Sequence, residues 1–519
     1  MDTKQIDLVK NIIYLFSFIS LIVQLIIFKN GNDILCILVI FFSNIFTTFY
    51  CLNNKYFFKY PISLLMIFIS HFQNLGGALF FKSIEFTLVT EKLDLPLSTI
   101  FILTIINITI ILSHTLYRKI DDSMNTNRIN NFLIKNNFFN IGDIKFWYIL
   151  SIIAISSKLF FFDLDKPISA QGEFGYNPNI LQDIIHGVKF LIFLPVVIFF
   201  SKSLFEIDHV PKKNLFFILF LFSIIFISLS RNNRSILFDC FLLITIVIFI
   251  LILFAKIDFK KQFFIKVVLL PLLIIPSFNF IENLSNKFMN ERSFYMDNTP
   301  IQNVKSFIEN AFSNKNNNLY LDKRYLSDSI FFSDTNYYMS ALFNRANFLH
   351  INDNFNYIDK NISNNKLEKL KEIQIDKVIS IIPQPIINIF SDNFDKQKVI
   401  NFSTASYLYG NLEYGGGTLY IGSAIMTLYI IFGYWICIIL FLFFIPVYIF
   451  MDSFYDKKKM IFSPYIIIFF YSTSGGILNF ISATEISFWF NLIFRIIPQT
   501  FIIIFIANFF YKGLFKKNN

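Results

Sequence analysis

Two arginines three residues apart, Arg231 and Arg234, have the types and spacing best suited to chemistry in this sequence. They lie in a short segment between two apolar stretches, each long enough to cross a lipid bilayer. Two guanidinium groups at such a place can hold a diphosphate group through bidentate hydrogen bonds. Arginines at a membrane surface can equally bind lipid headgroups without taking part in a reaction, so both interpretations stay open.

Two further candidates lie in the long polar segment Glu282–Gly417. Arg345 is an isolated cation among aromatic residues, which suits either an anionic or carbohydrate partner or a structural salt bridge. His350 is the only histidine of this segment and is suited to act as a general base, although a lone loop histidine is more often simply exposed. The predicted catalytic residues are therefore Arg231, Arg234, Arg345 and His350.

Two charged residues near the last apolar stretch have open roles. Arg495 lies inside that stretch, and we expect it to face the interior of a helix bundle or to reach the cytoplasmic edge of the membrane. Glu485 precedes the same stretch. It is either a carboxylate of the site or a charge that stabilises the start of a helix, and the second interpretation is favoured.

Sequence motifs exclude several classes of enzyme. The chain has no P-loop, no H-E-x-x-H or G-x-S-x-G motif and no G-x-G-x-x-G dinucleotide fingerprint. Its four cysteines all fall in apolar stretches and lack the spacing of metal ligands. We therefore expect neither a cofactor nor a metal ion.

The composition determines which elements must position these residues. Of the 519 residues, 55% are hydrophobic and only 15% are charged, which is more apolar surface than a soluble domain can bury. The apolar stretches do not alternate with polar residues, so they are predicted to be transmembrane α-helices. The net charge of +10 comes mostly from lysines in short loops, where they set orientation in the membrane and do not indicate nucleic-acid binding.

The fold class is therefore an all-α, polytopic membrane bundle of about twelve transmembrane helices. About nine of them precede the polar segment: Ile12–Phe28, Ile34–Leu52, Pro61–Phe80, Ser98–Leu116, Phe146–Phe162, Ile184–Phe200, Leu215–Ser230, Ile236–Ala255 and Phe263–Ile281. Those that follow it are predicted at Tyr434–Met451, Ile461–Ser474 and Ile486–Tyr511. They come after a shorter helix, Tyr420–Phe432, that is predicted to lie at, or dip into, the outer surface.

Lysine and arginine are concentrated in alternate loops, which predicts that both termini are cytoplasmic and that the polar segment is external. The exception is the short dibasic loop that holds Arg231 and Arg234. The predicted domains are an N-terminal membrane domain (1–281), a large periplasmic loop (282–417) and a C-terminal membrane domain (418–519). Within the loop, Leu367–Ile382 has the pattern of an amphipathic helix that Pro383 ends.

Three stretches of the sequence are similar to local patterns of one family: Ser228–Leu237, Ile381–Pro385 and Thr418–Trp435. Together with the layout, they resemble the bacterial O-antigen polymerases of the Wzy type and related capsule or exopolysaccharide repeat-unit polymerases. The first resembles an arginine-containing turn between two spans, the second an Ile-Pro loop segment, and the third a glycine-rich stretch that re-enters the membrane. Gln384 stands where members of the family often have arginine, and the Trp-Pro pair of that segment is missing.

The resemblance implies a membrane glycosyltransferase with a GT-C-like fold in the bacterial inner membrane. Such an enzyme transfers a growing glycan from undecaprenyl diphosphate to an incoming lipid-linked repeat unit at the outer face. Its implied partners are undecaprenyl-diphosphate-linked glycans, membrane lipids and a chain-length regulator, with no nucleic acid. The alternatives are an O-antigen ligase of similar layout and a flippase for lipid-linked oligosaccharides, although flippases have short external loops and internal repeats.

Overall fold

The computed structural model describes residues 4–124, 128–136, 138–139, 143–160, 189–205, 212–230, 234–254, 305, 343, 346–382, 387–389, 394, 396, 399, 402–410, 422–471 and 476–515. The predicted span Phe263–Ile281 and much of the predicted external loop lie outside these residues. The domain boundaries therefore stay predictions.

Helices make up almost all of the described structure. In chain order they are α1 (Lys4–Ile27), α2 (Gly31–Cys51), α3 (Asn54–Phe57), α4 (Pro61–His71), α5 (Gly77–Ile84), α6 (Pro96–Met124), α7 (Arg128–Lys135), α8 (Ile144–Phe160), α9 (Leu194–Phe199), α10 (Ser201–Phe205), α11 (Lys213–Ser230), α12 (Arg234–Leu253), α13 (Leu349–Asn361), α14 (Asn364–Ile379), α15 (Thr404–Gly410), α16 (Ala424–Phe432), α17 (Ile436–Asp452), α18 (Pro464–Ile467), α19 (Ile486–Asn491) and α20 (Ile497–Phe515).

A few short elements interrupt or join these helices. Two are five-residue π-helical turns and two are 3-10 turns, at Phe72–Gly76, Leu492–Ile496, Lys189–Phe193 and Gly433–Trp435. Two strands of two residues each complete the described elements, β1 (Tyr455–Asp456) and β2 (Ile461–Phe462). The turn Phe72–Gly76, which joins α4 to α5, is called the π-turn below. The predicted helical class is confirmed.

Seven helices of the described part are long and apolar enough to cross a membrane: Lys4–Ile27, Gly31–Cys51, Pro61–Ile84, Pro96–Asp121, Ile236–Leu253, Ala424–Asp452 and Ile486–Tyr511. Two shorter apolar helices, Ile144–Ser157 and Lys213–Ser228, coincide with further predicted spans. The chain is thus a multi-pass membrane protein. The total of about twelve spans stays a prediction.

The distribution of side chains on α1 is the reverse of that on a helix of a soluble protein. Ser17, Ser20 and Gln24 are buried, whereas Leu15 and Phe16 are more than half exposed, at 58% and 56%. Lipid covers apolar side chains on the outside of a bundle, while polar side chains find hydrogen-bond partners inside it. The pattern supports placement of this helix in a bilayer.

The chain divides into two compact units. Unit 1 comprises 1–137, 326–460 and 474–491, and unit 2 comprises 138–325, 461–473 and 492–519. In unit 1, α6 packs along α17, and α2 packs against both α1 and α6. The hydroxyl of Ser113 on α6 donates to the carbonyl oxygen of Phe441 on α17 at 2.7 Å, so a polar contact joins this helix pair.

A ring contact and a hydrogen bond join helices of unit 2. The rings of Phe199 on α9 and Phe217 on α11 stack with centroids 4.2 Å apart. The hydroxyl of Tyr511 on α20 donates to the carboxylate of Asp143 at 2.7 Å. Because Asp143 immediately precedes α8, this bond anchors α20 to the start of α8.

Two predictions for the C-terminal region have different outcomes. The predicted break before the span at Tyr434 is present, because α16 ends at Phe432 and Gly433 adopts a positive φ of 56°. The predicted span Ile461–Ser474 is wrong, because β2 is followed by the four-residue helix α18 and then by turns. Pro464 begins α18, so the apolar residues of this stretch do not form one continuous helix.

Arg495 lies in the second π-helical turn and is exposed. The expectation that it faces the interior of the bundle is therefore wrong. A long arginine side chain can extend along the protein surface towards polar headgroups, and its reach to the cytoplasmic edge stays a prediction.

Replacement of Gly76 in the π-turn by alanine is expected to destabilise the protein. A Cβ atom there would overlap Oδ1 of Asn44 and lie 3.0 Å from Nε2 of His71. Overpacking of this kind costs about 1–3 kcal/mol. Thermal unfolding of the full-length protein in detergent measures the effect.

Gly31→Ala is the matched control, because a Cβ atom at Gly31 would meet no atom within 4 Å. Gly31 is the first residue of α2, and the extra methyl group should leave the melting temperature unchanged or raise it. Equal melting temperatures for Gly76→Ala and the wild type would contradict the described packing.

Candidate functional site

Of the four predicted catalytic residues, His350 has a side chain that the structure describes. Arg231 and Arg345 lie outside the described residues, and Arg234 is the first residue of α12, with a side chain that is not described. The grouping of the three arginines around a diphosphate therefore stays a prediction. The candidate site therefore consists of His350 and its surroundings.

His350 is the second residue of α13 and is half-buried, not exposed. Burial, and then the positive charge of Lys82, lower the pKa of His350 to about 4. The imidazole is therefore neutral at physiological pH and has a lone pair that can accept a proton. This differs from the exposed position that a single loop histidine usually occupies.

Lys82 is a buried cation that the sequence analysis did not single out. It lies in α5, within the span Pro61–Ile84, and is only 2% exposed. The negative charges of Glu85 and Glu91 act on it, as expected for a charge in a position that is otherwise costly. The predicted span ended at Phe80, whereas the structure continues it to Ile84, and this places Lys82 inside it.

The segment before α13 is bonded to the π-turn. Nδ2 of Asn347 donates to the carbonyl oxygen of Phe72 at 2.9 Å. The backbone N–H of Phe348 donates to the carbonyl oxygen of Gln73 at 2.7 Å. A π-helical turn shifts the hydrogen-bond register of a helix and often occurs at functional sites. Here the shifted backbone receives two donors from the polar segment.

Asp353 of α13 acts as a cap for a different helix. Its carboxylate accepts the backbone N–H groups of Asp94 and Leu95, at 2.5 and 3.1 Å, and the hydroxyl of Thr99 at 2.7 Å. Nδ2 of Asn356 donates to the same hydroxyl oxygen at 2.9 Å. The carboxylate thus satisfies N–H groups at the start of α6, where the helix dipole favours negative charge. Burial raises the pKa of Asp353, and these hydrogen bonds oppose the rise.

Four uncharged side chains form a buried hydrogen-bonded chain under α13. Nδ2 of Asn74 donates to the hydroxyl oxygens of Ser70 and Ser482, at 3.2 and 3.0 Å. Oδ1 of Asn74 accepts from Nδ2 of Asn352 at 3.2 Å. The chain joins α4, the π-turn and α13 to the segment before α19. Sequence separations of several hundred residues conceal such contacts from local patterns.

The carboxylate of Glu485 binds residues of both α14 and α15. Lys377 of α14 forms an ion pair with one oxygen of Glu485, and the backbone N–H of Thr404 donates to the other at 2.9 Å. Nε2 of Gln374 donates to the hydroxyl of Thr404 at 2.9 Å. Burial lowers the pKa of Lys377, and the negative charge of Glu485 opposes the shift. Glu485 precedes α19, as the helix-dipole interpretation requires, but its oxygens also bind elements of the polar segment.

A second polar cluster lies at the opposite ends of the same spans. The hydroxyl of Ser63 lies 2.9 Å from Nε2 of His114 and donates to the carboxylate of Asp452 at 2.5 Å. Tyr117 also donates to that carboxylate, at 3.1 Å. Nδ1 of His114 lies 2.9 Å from the hydroxyl of Tyr50. Ser63 and His114 are polar residues inside predicted spans, but their pairing with Asp452 was not predicted from the sequence.

The Ser63, His114 and Asp452 cluster does not have the geometry of a hydrolase triad. In a triad the carboxylate orients the histidine, which in turn activates the serine. Here the carboxylate of Asp452 binds the backbone N–H and the hydroxyl of Ser63. All three residues are buried. The cluster is suited to holding α4, α6 and α17 together.

No family model, curated protein or solved structure matches this chain. Within the described residues, no group of three His, Cys, Asp or Glu side chains could hold a metal ion. The candidate site is therefore defined by its own residues: His350, Lys82, the π-turn, and the polar contacts of α13 and α14.

Replacement of Asp353 by asparagine is expected to destabilise the protein. Asparagine has one acceptor oxygen in place of two, and its amide would face the N–H groups that the carboxylate binds. Loss of such buried hydrogen bonds costs about 1–3 kcal/mol. The melting temperature of the full-length protein should fall.

Asp359→Asn on the same helix is the control, since no described residue donates a hydrogen bond to this half-buried carboxylate. It should melt close to the wild type. If the two variants melted at the same temperature, the capping role of Asp353 would be rejected.

Proposed function

We propose that the protein is a membrane glycosyltransferase that polymerises undecaprenyl-diphosphate-linked oligosaccharide repeat units. The product would be an O-antigen, capsule or exopolysaccharide, made at the outer face of a bacterial inner membrane. The family resemblance of the sequence supports the reaction class. The proposed substrate has one polar, hydroxyl-rich part and one lipid part, so its enzyme must bind both.

The observation that carries the proposal is the packing of α13 and α14 on one end of the spans of unit 1. Both helices come from the long polar segment, and Asn347, Asp353 and Lys377 bond them to membrane-spanning elements or the loops beside them. A polar segment folded onto a helix bundle provides a protected volume for a polar substrate. Transport does not require such a segment.

Departure of the diphosphate requires positive charge near the membrane surface. Arg231, Arg234 and Arg345 are proposed to supply it. Lys82 adds a buried cation whose charge already acts on His350. Lys377 is committed to Glu485, so it is less suited to bind a phosphate.

The proposed reaction forms one bond and breaks one bond. A hydroxyl oxygen of the incoming repeat unit attacks the anomeric carbon of the growing glycan, and the bond from that carbon to the diphosphate oxygen breaks. Undecaprenyl diphosphate leaves with the bonding electron pair, and the hydroxyl proton passes to His350. A pKa near 4 makes this imidazole a weak base but keeps it unprotonated and ready to accept.

An O-antigen ligase is the second candidate function, and the half-buried, neutral imidazole of His350 favours it. A ligase would transfer finished glycan to a lipid core through the same proton transfer. The two functions differ in the acceptor. A flippase for lipid-linked oligosaccharides is the third function. The location of the accumulated glycan distinguishes it from a polymerase and from a ligase.

Deletion of the gene should remove the ladder of surface polysaccharide and leave a single repeat unit on its lipid anchor. Wild-type protein should restore the ladder, whereas Arg231→Ala, Arg234→Ala and Arg345→Ala should fail to restore it. Arg128→Ala is the matched control, because Arg128 is exposed at the start of α7. Gel separation of the polysaccharide by size gives the result.

Other patterns would reject polymerisation. Full-length glycan on the undecaprenyl carrier, with none on the lipid core, would identify a ligase. Repeat units trapped on the inner side would identify a flippase. Restoration of the ladder by all three arginine variants would reject the diphosphate clamp.

The pH dependence of polymerisation should report on His350. A general base works in its unprotonated form, so the rate should be constant from pH 8 to about 5 and should fall as the pH drops through about 4. His350→Gln should lower the rate about 100- to 10,000-fold. Purified protein and lipid-linked oligosaccharide from the deletion strain allow this measurement, and a wild-type rate for His350→Gln would rule out the base.

A further inference from the structure

Four buried polar side chains line the surface on which α13 rests. They are named the polar floor: Ser70, Gln73, Asn74 and Ser482, each less than 8% exposed. The floor is built from uncharged amides and hydroxyls, although it belongs to a bundle with an apolar exterior. Such groups are costly to bury away from water, and in membrane proteins they often mark functional sites.

Asn352, which covers the floor from α13, uses only part of its hydrogen-bonding capacity. Its Nδ2 donates to Asn74, whereas its Oδ1 has no hydrogen-bond partner among the residues that the structure describes. The residue is fully buried. Because buried acceptors normally bind a donor, this oxygen is suited to the hydroxyl group of a ligand.

His71, the neighbour of Ser70 in the chain, presents a second acceptor. Its Nε2 lies 2.8 Å from Oδ1 of Asn44, while Nδ2 of Asn44 donates to the carbonyl oxygen of Gly76. Since Oδ1 can only accept, Nε2 must carry the imidazole proton and Nδ1 holds a lone pair. Nδ1 is also buried and has no hydrogen-bond partner within the described part of the chain.

Aromatic residues lie near the floor residues in the sequence. Phe72, next to Gln73 in the π-turn, stacks against Phe80 with centroids 5.8 Å apart. Phe81 stacks on Phe343 of the polar segment at 4.3 Å. Neutral hydrogen-bonding groups such as those of the floor suit a ligand that is itself uncharged and rich in hydroxyls.

We infer that the polar floor is a binding subsite for a sugar ring and that α13 is its cover. This inference rests on the proposed function and assigns residues to the sugar part of the substrate. Sugar hydroxyls both donate and accept, so they can bind the spare acceptor of Asn352 and replace the bond that Asn352 makes to Asn74. Because the floor is buried beneath α13, entry of the sugar requires α13 to move, which breaks the bonds from Asn352 to Asn74 and from Asp353 to Leu95 and Thr99.

Binding of two probes to the full-length protein in nanodiscs tests the inference. The first probe is undecaprenyl-diphosphate-linked oligosaccharide extracted from the deletion strain, and the second is undecaprenyl diphosphate without glycan. Asn74→Leu and Asn352→Leu keep a similar side-chain volume but remove the amide. Both should raise the Kd for the first probe at least about tenfold and leave the Kd for the second unchanged.

Asn361→Leu is the matched control, since Asn361 is an exposed amide at the end of α13 whose Nδ2 donates to the carbonyl oxygen of Tyr357. It should bind both probes like the wild type. A wild-type Kd for the first probe in both floor variants would overturn the inference, as would an equal loss of both probes.

Failure of the subsite and failure of the proposed function are distinguishable. Polymerisation by the wild type, together with unchanged glycan binding in the floor variants, would reject the floor alone. Glycan binding that depends on Asn74 and Asn352, in a protein that forms no polymer, would reject polymerisation and retain the floor.

Discussion

Every backbone polar group inside a membrane bundle must be paired, because no water is available there to bind it. The π-turn shifts the hydrogen-bond register of its helix. This shift changes which backbone carbonyl groups are paired within the helix and which need a partner from elsewhere. In unit 1 the carbonyl oxygens of Phe72 and Gln73 accept from Asn347 and Phe348. The polar segment is therefore part of the packing of the span and is held by the same requirement that governs the bundle.

Two carboxylates, the buried one of Asp353 and the half-buried one of Glu485, extend the same principle to helix ends. Asp353 binds N–H groups at the start of α6, and Glu485 binds the N–H of Thr404 at the start of α15. Each carboxylate comes from a distant part of the chain and satisfies donors that the first turn of a helix cannot pair. Burial of these charges is costly, so they persist only where hydrogen bonds and, for Glu485, Lys377 offset that cost. Together they fix α13 and α14 relative to the spans of unit 1.

Local properties of the chain were predictable, and long-range pairings were not. Apolar stretches of sufficient length indicated most of the described spans, and the amphipathic pattern of Leu367–Ile382 indicated α14. The stretch Ile461–Ser474 was predicted wrongly, because hydropathy alone does not register that Pro464 starts a new, short helix. Hydrogen bonds between Ser63 and Asp452, or between Asn74 and Ser482, join residues several hundred positions apart. No periodicity encodes such contacts, so the polar floor under α13 could not be identified from the sequence.

The two polar clusters of unit 1 differ in how completely their groups are paired. With Asp452 ionised, Ser63 donates to the carboxylate and accepts from Nε2 of His114, whose Nδ1 then accepts from Tyr50. Such a network uses the capacity of its members and holds helices rigidly. The cluster under α13 instead keeps a buried acceptor on Asn352 without a partner among the described residues. Asn352 therefore retains hydrogen-bonding capacity at one end of the spans, whereas the groups of the other cluster pair with one another.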